Sequence, residues 1–163
     1  MRRTLARPGP RYEALIRLLF TADTVWNLSR TFFARWMLSP SQFNVINLLH
    51  DLPDGLSQTD LGRQLLMHRS NLTGLVDKLE RRGLVERRAA PDDRRAYRVA
   101  LTSSGTKLVD EILPHYYRGA ELALGGLSPG RASRLARELD EICARAGRAA
   151  LELPATTRRP RPS

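Results

Sequence analysis

The chain has 163 residues, which suits one domain with a core of its own, and it carries a formal net charge of +10. Its single cysteine, Cys143, excludes an internal disulfide and fits a reducing compartment. No apolar run approaches the roughly 18 residues of a membrane span, and the basic N-terminus lacks the apolar run of a signal peptide, so we expect a cytoplasmic protein.

The positive charge is concentrated in three blocks. Residues 1–11 hold four arginines and no acid, residues 57–102 hold ten basic and six acidic residues, and residues 155–163 add three arginines. Blocks of this kind favour a polyanion partner, because binding releases counterions from the polyanion. A solubilising surface with two disordered tails is the alternative explanation.

Two helices are predicted in the N-terminal third of the chain. Apolar residues recur at mostly helical spacing over residues 11–37, which predicts a long first helix. Ser39 is a suitable N-cap and Pro40 suits a first helical turn, so a second helix begins there. It ends at the Pro-Asp-Gly turn signal of residues 53–55.

A helix-turn-helix is predicted next. Ser57 and Asp60 have the spacing of a capping box and begin a third helix. A fourth helix runs from about residue 70 to residue 82, and Gly83 is well placed to end it. The apolar stripe of this fourth helix consists of Leu72, Leu75, Val76 and Leu79.

A two-stranded hairpin follows the fourth helix. Residues 84–88 form its first strand and residues 97–102 its return strand, with the turn at residues 91–92. Side chains alternate along a strand, which predicts that Val99 and Leu101 face inward. A hairpin directly after a helix-turn-helix is a wing.

Two further helices are predicted towards the C-terminal end. A fifth helix begins at Thr102 or Ser103, and Pro114 inside it should bend or locally break it. A sixth helix begins at the second Leu-Ser-Pro segment, residues 127–129. Residues 154–163 are rich in proline and arginine and are expected to be disordered.

The outer side of the fourth helix carries short, polar side chains that can donate and accept hydrogen bonds. Reading base edges in a major groove requires such a face, because each base pair presents its own pattern of donors and acceptors. An amphipathic helix that meets only water is the alternative, and the following hairpin disfavours it, since a wing can place an arginine in the adjacent minor groove. The outer residues are Arg69, Ser70, Asn71, Thr73, Gly74, Asp77 and Lys78.

Residues 56–105 resemble the winged-helix core of the MarR family of bacterial regulators. VDKLERRGLVER, residues 76–87, is similar to the family's recognition helix and first wing strand. The resemblance implies a mainly α fold with a small β-hairpin wing, in which N- and C-terminal dimerisation helices flank a winged helix-turn-helix core. The family's wing pattern, Asp-x-Arg-x-x-x-Val-x-Leu-Thr-x-x-Gly, maps onto Asp93, Arg95, Val99, Leu101, Thr102 and Gly105.

The resemblance also implies roles for the wing. Arg95 would enter the minor groove, with Asp93 holding its guanidinium in place. The family pattern alone separates Arg95 from the adjacent Arg94, so which of the two reaches the groove is open. Arg94 and either Arg87 or Arg88 would contact phosphates, and ordinary strand-edge charge is the alternative for Arg87 and Arg88.

The recognition helix would supply the contacts to bases. Asparagine can bond adenine and arginine can bond guanine in bidentate fashion, so such residues are candidates for sequence specificity. The small Thr73 and Gly74 would let the helix backbone approach the DNA closely. The residues expected on this face are Ser70, Asn71 and Thr73 against bases, Arg69 near bases or phosphate, and Gly74 and Lys78 beside them.

The resemblance implies a homodimer in which the first, fifth and sixth helices of two subunits interlock. The apolar stripes at both chain ends agree with this, because they exceed what one small winged helix can cover; helices that fold back on their own subunit are the alternative. We expect a flexible basic segment at 1–10, dimerisation helices at 11–37 and 103–153, the winged helix-turn-helix at 38–102 and a disordered tail at 154–163. A two-fold dimer would read a pseudo-palindrome with half-sites about one helical turn apart.

Many members of the family release DNA when a small, often phenolic, acid binds between the dimer helices and the DNA-binding lobe. Core or dimer contacts are the alternative role for aromatic residues on the long helices. Cys143 is predicted to be a small packed residue and not an oxidant sensor, and the scattered histidines argue against a metal site. The candidate effector-lining residues are Trp26, Arg30, His50 and Tyr116.

These features predict a sequence-specific regulator that binds double-stranded DNA as a homodimer, and within that class a repressor released by a small aromatic or phenolic effector. No cofactor is expected, and the sequence has no nucleophile elbow or phosphate-cradling glycine loop that would indicate an enzyme. A winged-helix module for protein–protein assembly is the alternative, although such a module would favour apolar groups at the wing tip. Packaging of nucleic acid by the arginine-rich ends is a third possibility.

Overall fold

The computed structural model describes residues 9–90 and 93–152, with the backbone alone for residues 90, 93–96, 150 and 151. In these residues the chain is mainly helical and has one small antiparallel sheet, as the sequence predicted. The helices are α1 (Pro10–Ala34), α2 (Pro40–His50), α3 (Gln58–Gln64), α4 (Arg69–Arg81), α5 (Ser103–Leu124) and α6 (Pro129–Glu152), and the strands are β1 (Leu56–Ser57), β2 (Val85–Ala90) and β3 (Asp93–Leu101). The predictions for residues 1–8, 91–92 and 153–163 lie outside the described residues.

Side-chain caps begin α2 and α3 where the sequence placed them. The Ser39 hydroxyl accepts from the Gln42 N–H at 3.2 Å, and the Gln42 side chain accepts from the Ser39 N–H at 2.8 Å, which completes a capping box. At α3 the Ser57 hydroxyl accepts from the Asp60 N–H at 3.1 Å and donates to the Asp60 carboxylate at 2.7 Å. The Asp60 carboxylate therefore accepts from the capping hydroxyl. In the usual capping box the longer glutamate side chain accepts from the backbone N–H of the N-cap residue.

Three helices are followed by a residue in the left-handed backbone conformation, which has a positive φ. After α4, Gly83 has φ +66°, and two N–H groups bond back to carbonyls of the last turn at 2.8 and 3.0 Å. Met37 after α1 and Leu66 after α3 occupy the equivalent position with φ +54° and +51°. The predicted stop at Gly83 is confirmed, whereas α1 ends at Ala34, three residues before its predicted end.

The core lies where the end of α1, α2, α4, the sheet and the start of α5 meet. The rings of Phe33 and Phe43 stack with centroids 4.3 Å apart. Leu72, Val76 and Leu79 of the predicted α4 stripe are fully buried, and Leu75 is half-buried. Other fully buried side chains are Val45, Ile46, Leu49, Leu61, Val85, Val99 and Ile112.

The sheet has the order β1-β3-β2, and all pairs are antiparallel. The β2–β3 hairpin is the predicted wing, and β1, which pairs Leu56 with Val99, was not predicted. Val99 is buried as expected, but Ala100 is buried too and Leu101 is only half-buried. The expectation of simple alternation was wrong here because β3 is the central strand and is covered on both faces.

Helix α5 runs without interruption from Ser103 to Leu124, with Pro114 inside it, so the predicted local break is wrong. Pro114 lacks one N–H donor, but the turns on either side of it stay helical. The structure divides into two compact units between Ile112 and Leu113. Within the described residues, the second unit consists of the rest of α5 together with α6.

No helix in the described residues is both long enough and apolar enough to cross a bilayer.

Candidate DNA-binding surface

The polar face predicted for the fourth helix is the solvent-facing side of α4. This helix packs its apolar stripe against α2, α3 and β2, which turns the opposite side outward. An added Cβ at Gly74 would meet no atom within 4 Å, so the helix surface there is open to a close approach. The exposed residues on this side are Arg69, Ser70, Asn71, Gly74 and Lys78, with Thr73 half-buried among them.

Local hydrogen bonds decide what the first turn of α4 can offer to a base. The Thr73 hydroxyl donates to the Arg69 carbonyl at 3.0 Å, so Thr73 is left with acceptor capacity. The Ser70 hydroxyl lies 3.0 Å from Nδ1 of His68, the residue that precedes the helix. The exposed Asn71 carries both a donor and an acceptor on one amide. The structure thus places these residues on one surface, and their contacts to bases stay predictions.

Arg87 connects the recognition helix to the first wing strand. Its Nη2 donates to Asp77 at 2.6 Å, its Nη1 pairs with Glu80, and its backbone N–H donates to Glu80 at 3.1 Å. The hydrogen bond to Asp77 raises the pKa of Arg87 against the opposing effect of burial, and the charge of Glu80 adds to the rise. The side chain is 28% exposed, and its guanidinium is held by two carboxylates of its own chain. Of the two candidates for the predicted phosphate contact, Arg87 is thus held by two acids of its own chain, and the contact itself stays a prediction.

Arg88 and Arg98 lie opposite each other on the other face of the hairpin. Arg88 donates to Glu86 at 2.7 Å and reaches the Pro53 carbonyl at 3.4 Å, but half of its side chain stays exposed. Arg98 donates to the Gly55 carbonyl at 3.2 Å. Both arginines thus join the hairpin to the turn that precedes β1.

The predicted roles at the wing tip concern side chains outside the described residues. The backbone of Asp93, Arg94 and Arg95 belongs to β3, and a register shift in the hairpin falls between Ala89 and Ala90. The minor-groove role of Arg95, the orienting role of Asp93 and the phosphate contact of Arg94 stay predictions.

Sequence reasoning missed a set of bonds that hold the end of the recognition helix. Arg82 donates to the carbonyls of Met37 at 2.7 Å and Trp36 at 3.0 Å, and the Trp36 indole N–H donates to Glu111 at 2.7 Å. These bonds connect the C-terminal end of α4 with the turn after α1 and with α5. The partners are 45 or more residues apart in the chain, so no local pattern could indicate them.

The four predicted effector-lining residues do not share a described cavity. Trp26 and Arg30 are exposed on α1, and the His50 ring lies 2.8 Å from Asp110 and 3.4 Å from Asp51. Tyr116 belongs to the second unit. Two surface cavities among the described residues, of about 400 Å³ on α1 and about 280 Å³ at the α5–α6 turn, include none of the four. The effector site stays a prediction.

Cys143 is exposed on α6, so the prediction of a packed cysteine is wrong for this chain by itself. Its neighbours on α6 are exposed as well, because α6 buries little against its own unit. The described residues contain no group of three or more His, Cys, Asp or Glu side chains that could hold a metal ion.

Residues 38–96 match the model of the MarR family. The HTH-type transcriptional regulator YkoM of Bacillus subtilis is 36% identical over 98 residues, which cover 60% of this chain and 62% of YkoM. The HTH-type transcriptional repressor YetL of the same organism is 30% identical over 106 residues, which cover 64% of each protein. The matched stretch thus spans less than two thirds of each relative's own length.

The fold is shared with solved transcriptional regulators. The structure of the S. aureus MepR–DNA complex gives a TM-score of 0.70 at 22% identity and covers 82% of this chain and 96% of that chain. CouR from Rhodococcus jostii RHA1, solved with p-coumaroyl-CoA bound, gives a TM-score of 0.72 at 25% identity, covering 77% of this chain and 87% of that chain. These similarities confirm the winged-helix fold.

Proposed function

Because residues 38–96 make the chain a member of the MarR family of winged helix-turn-helix regulators, we propose that it is a transcriptional regulator that binds double-stranded DNA sequence-specifically. The observation that carries the proposal is the exposed polar face of α4 beside a hairpin whose first strand is ion-paired to the same helix. This arrangement supplies one element for a major groove and a second for the adjacent minor groove. MepR, which shares the fold, was solved in complex with DNA.

The proposed regulator acts as a homodimer on a pseudo-palindrome. Along α1 a row of large apolar side chains stays exposed in the first unit, with Phe20 at 70%. In the second unit Leu135, Leu139 and Ile142 of α6 are exposed as well. Burying such patches against a second copy removes them from water, which favours association. A dimer with two-fold symmetry then sets half-sites about one helical turn apart.

Repression, with release by a small aromatic or phenolic effector, is the finer part of the proposal. YetL is named as a repressor, and CouR was solved with an aromatic acyl-CoA bound. On this chain the candidate effector contacts are Trp26, Arg30, His50 and Tyr116. Binding that differs between a DNA-competent state and another state would shift the protein away from DNA.

Selection of preferred duplexes from a random DNA pool tests the proposal. The wild-type protein is expected to enrich a two-fold symmetric site with half-sites about 10 base pairs apart. Enrichment of no sequence over the starting pool would contradict sequence-specific binding and would favour the assembly module.

Asn71→Ala is expected to relax base preference at one position of each half-site, because the exposed amide can no longer bond a base edge. The lost discrimination is ~1–3 kcal/mol per position. The same selection carried out with the variant measures it, and identical consensus sequences for variant and wild type would reject the base contact. Lys78→Ala, which removes a positive charge from the same face, is the variant with which Asn71→Ala is compared.

Arg95→Ala is expected to weaken DNA binding by roughly tenfold without lowering the melting temperature, because arginine is suited to the negative potential of a narrow minor groove. A gel shift beside a melting curve measures both quantities. Arg131→Ala, the same change at an exposed position on α6, is the control. Unchanged affinity of Arg95→Ala would exclude the minor-groove role.

A further inference from the structure

Tyr97 is a large aromatic side chain left exposed in the middle of the wing. It lies on β3, opposite Ala89 of β2, and 60% of it is accessible to solvent. Ala89 is small and itself exposed, so it leaves the tyrosine ring uncovered. Because Tyr97 is outside the family's wing pattern, the sequence did not single it out.

The face of the hairpin that carries Tyr97 is the one that looks towards the recognition helix. Directly opposite residues of two paired strands share a face, and so do alternate residues along each strand. Arg87 pairs with Val99 and Ala89 with Tyr97, so these four residues lie on one face. Arg87 uses that face to reach Asp77 of α4 at 2.6 Å. Tyr97 is therefore the next residue outward from this ion pair, on the α4 side.

The other face of the hairpin points towards the turn before β1. Arg98, the neighbour of Tyr97 in the chain, donates to the Gly55 carbonyl, and Arg88 reaches the Pro53 carbonyl. These partners belong to the turn before β1. Arg88 and Arg98 thus do not occupy the space in front of the Tyr97 ring.

The proposed mode of DNA binding places a phosphodiester backbone in that space. A helix in one groove and a hairpin in the adjacent groove straddle the strand that separates the two grooves. That strand must pass between the outer side of α4 and the outer half of the hairpin, across the α4-facing side of the wing. Tyr97 stands on this side, beyond the ion pair that closes the inner part.

We propose that Tyr97 contacts this phosphodiester backbone: its hydroxyl donates a hydrogen bond to a phosphate oxygen, and its ring packs against the adjoining deoxyribose. The inference rests on the proposed function and adds a contact that fixes the register of the protein on the duplex. A phosphate contact of this kind carries no base information. Tyrosine is neutral, so the contact also displaces no counterion, unlike the contacts of the wing arginines.

Tyr97→Phe, which removes the hydroxyl alone, tests the assignment in the full-length protein. Affinity for the selected duplex is measured by fluorescence anisotropy at several salt concentrations. We expect a loss of about threefold in each half-site, in the range of a net hydrogen bond, which multiplies to about tenfold for the two-fold complex. We also expect an unchanged slope of log affinity against log salt and an unchanged consensus sequence. Tyr97→Ala, which also removes the ring, is expected to lose more.

Tyr117→Phe is the matched control at a tyrosine of similar exposure, 61% on α5. Because α5 is an expected dimerisation helix, light scattering verifies that this variant is still a dimer, and its DNA affinity should then equal that of the wild type. Wild-type affinity in Tyr97→Phe would overturn the inference while leaving the proposed function intact. A changed consensus with Tyr97→Phe would overturn it as well, in favour of a base contact. A wild-type protein that binds no duplex would overturn the proposed function and this inference together.

Discussion

Replacing Arg87 with methionine is expected to lower the affinity for DNA by about a hundredfold while the fold survives. Methionine keeps the long apolar stem but leaves the carboxylates of Asp77 and Glu80 without the guanidinium that now holds both. These two negative charges then stand on the recognition helix next to DNA phosphates, and β2 loses its ion pair to that helix. A loss of roughly tenfold in each half-site multiplies to about a hundredfold in a two-fold complex.

Charge removal separates this positioning role from a direct phosphate contact. Arg87→Met combined with Asp77→Asn and Glu80→Gln removes both carboxylate charges, which leaves the cluster neutral where the wild-type cluster carries one negative charge, and is expected to recover most of the lost affinity. If Arg87 instead contacts a phosphate, the triple variant stays weak, and the salt dependence of binding falls by about one charge per contact. Anisotropy titrations over a salt series, with a melting curve for each variant, distinguish the two cases. Affinity of Arg87→Met within threefold of wild type would contradict both roles.

The elements that the sequence predicted well are those whose ends carry a local chemical signal. Ser39 and Ser57 begin helices because their hydroxyls accept from backbone N–H groups within the next three residues. Gly83 ends α4 because glycine adopts a positive φ without a steric cost. Met37 and Leu66 end helices in the same conformation but are not glycine, so the residue types at those two positions did not predict a helix end.

The parts that sequence reasoning missed depend on contacts between distant segments. Strand β1 is two residues long and exists because Leu56 pairs with Val99, which lies more than 40 residues later. The burial of Ala100 follows from the same central position of β3. Neither has a periodic pattern to detect. A two-residue strand spans only one period of the side-chain alternation, and a strand covered on both faces does not alternate between buried and exposed side chains.

The sequence predicted which residues form the candidate DNA-binding surface, but not which of its arginines is held by acidic residues of the same chain. The spacing of Asp77 and Glu80 puts both carboxylates on one side of a helix, and this much is readable from the sequence. Which arginine they hold depends on how the hairpin folds back on α4. In the structure they hold Arg87, one of the two arginines expected at a phosphate, and the Arg87→Met series tests whether its role is support for the wing.

Replacing Gly105 with alanine is expected to destabilise the protein by about 3 kcal/mol, the upper range for overpacking a core. Gly105 is buried in the first turn of α5, where an added Cβ would clash with the Leu84 carbonyl oxygen and lie 3.0 Å from Leu101 Cδ2. The obstructing atom belongs to the backbone, so no side-chain rotation can relieve the clash.

The helix would have to move away from the base of the wing. That movement strains the bond from the Thr102 N–H to the Leu84 carbonyl, now 3.2 Å, and the one from the Thr102 hydroxyl to the Gly83 carbonyl, now 2.6 Å. Gly119→Ala, further along α5 with nothing within 4 Å of the added Cβ, is the matched control. It should stabilise the helix by about 0.5–1 kcal/mol, because alanine loses less conformational entropy. Denaturant unfolding of both variants measures the difference, and equal stability of the two would show that α5 does not need a glycine against Leu84.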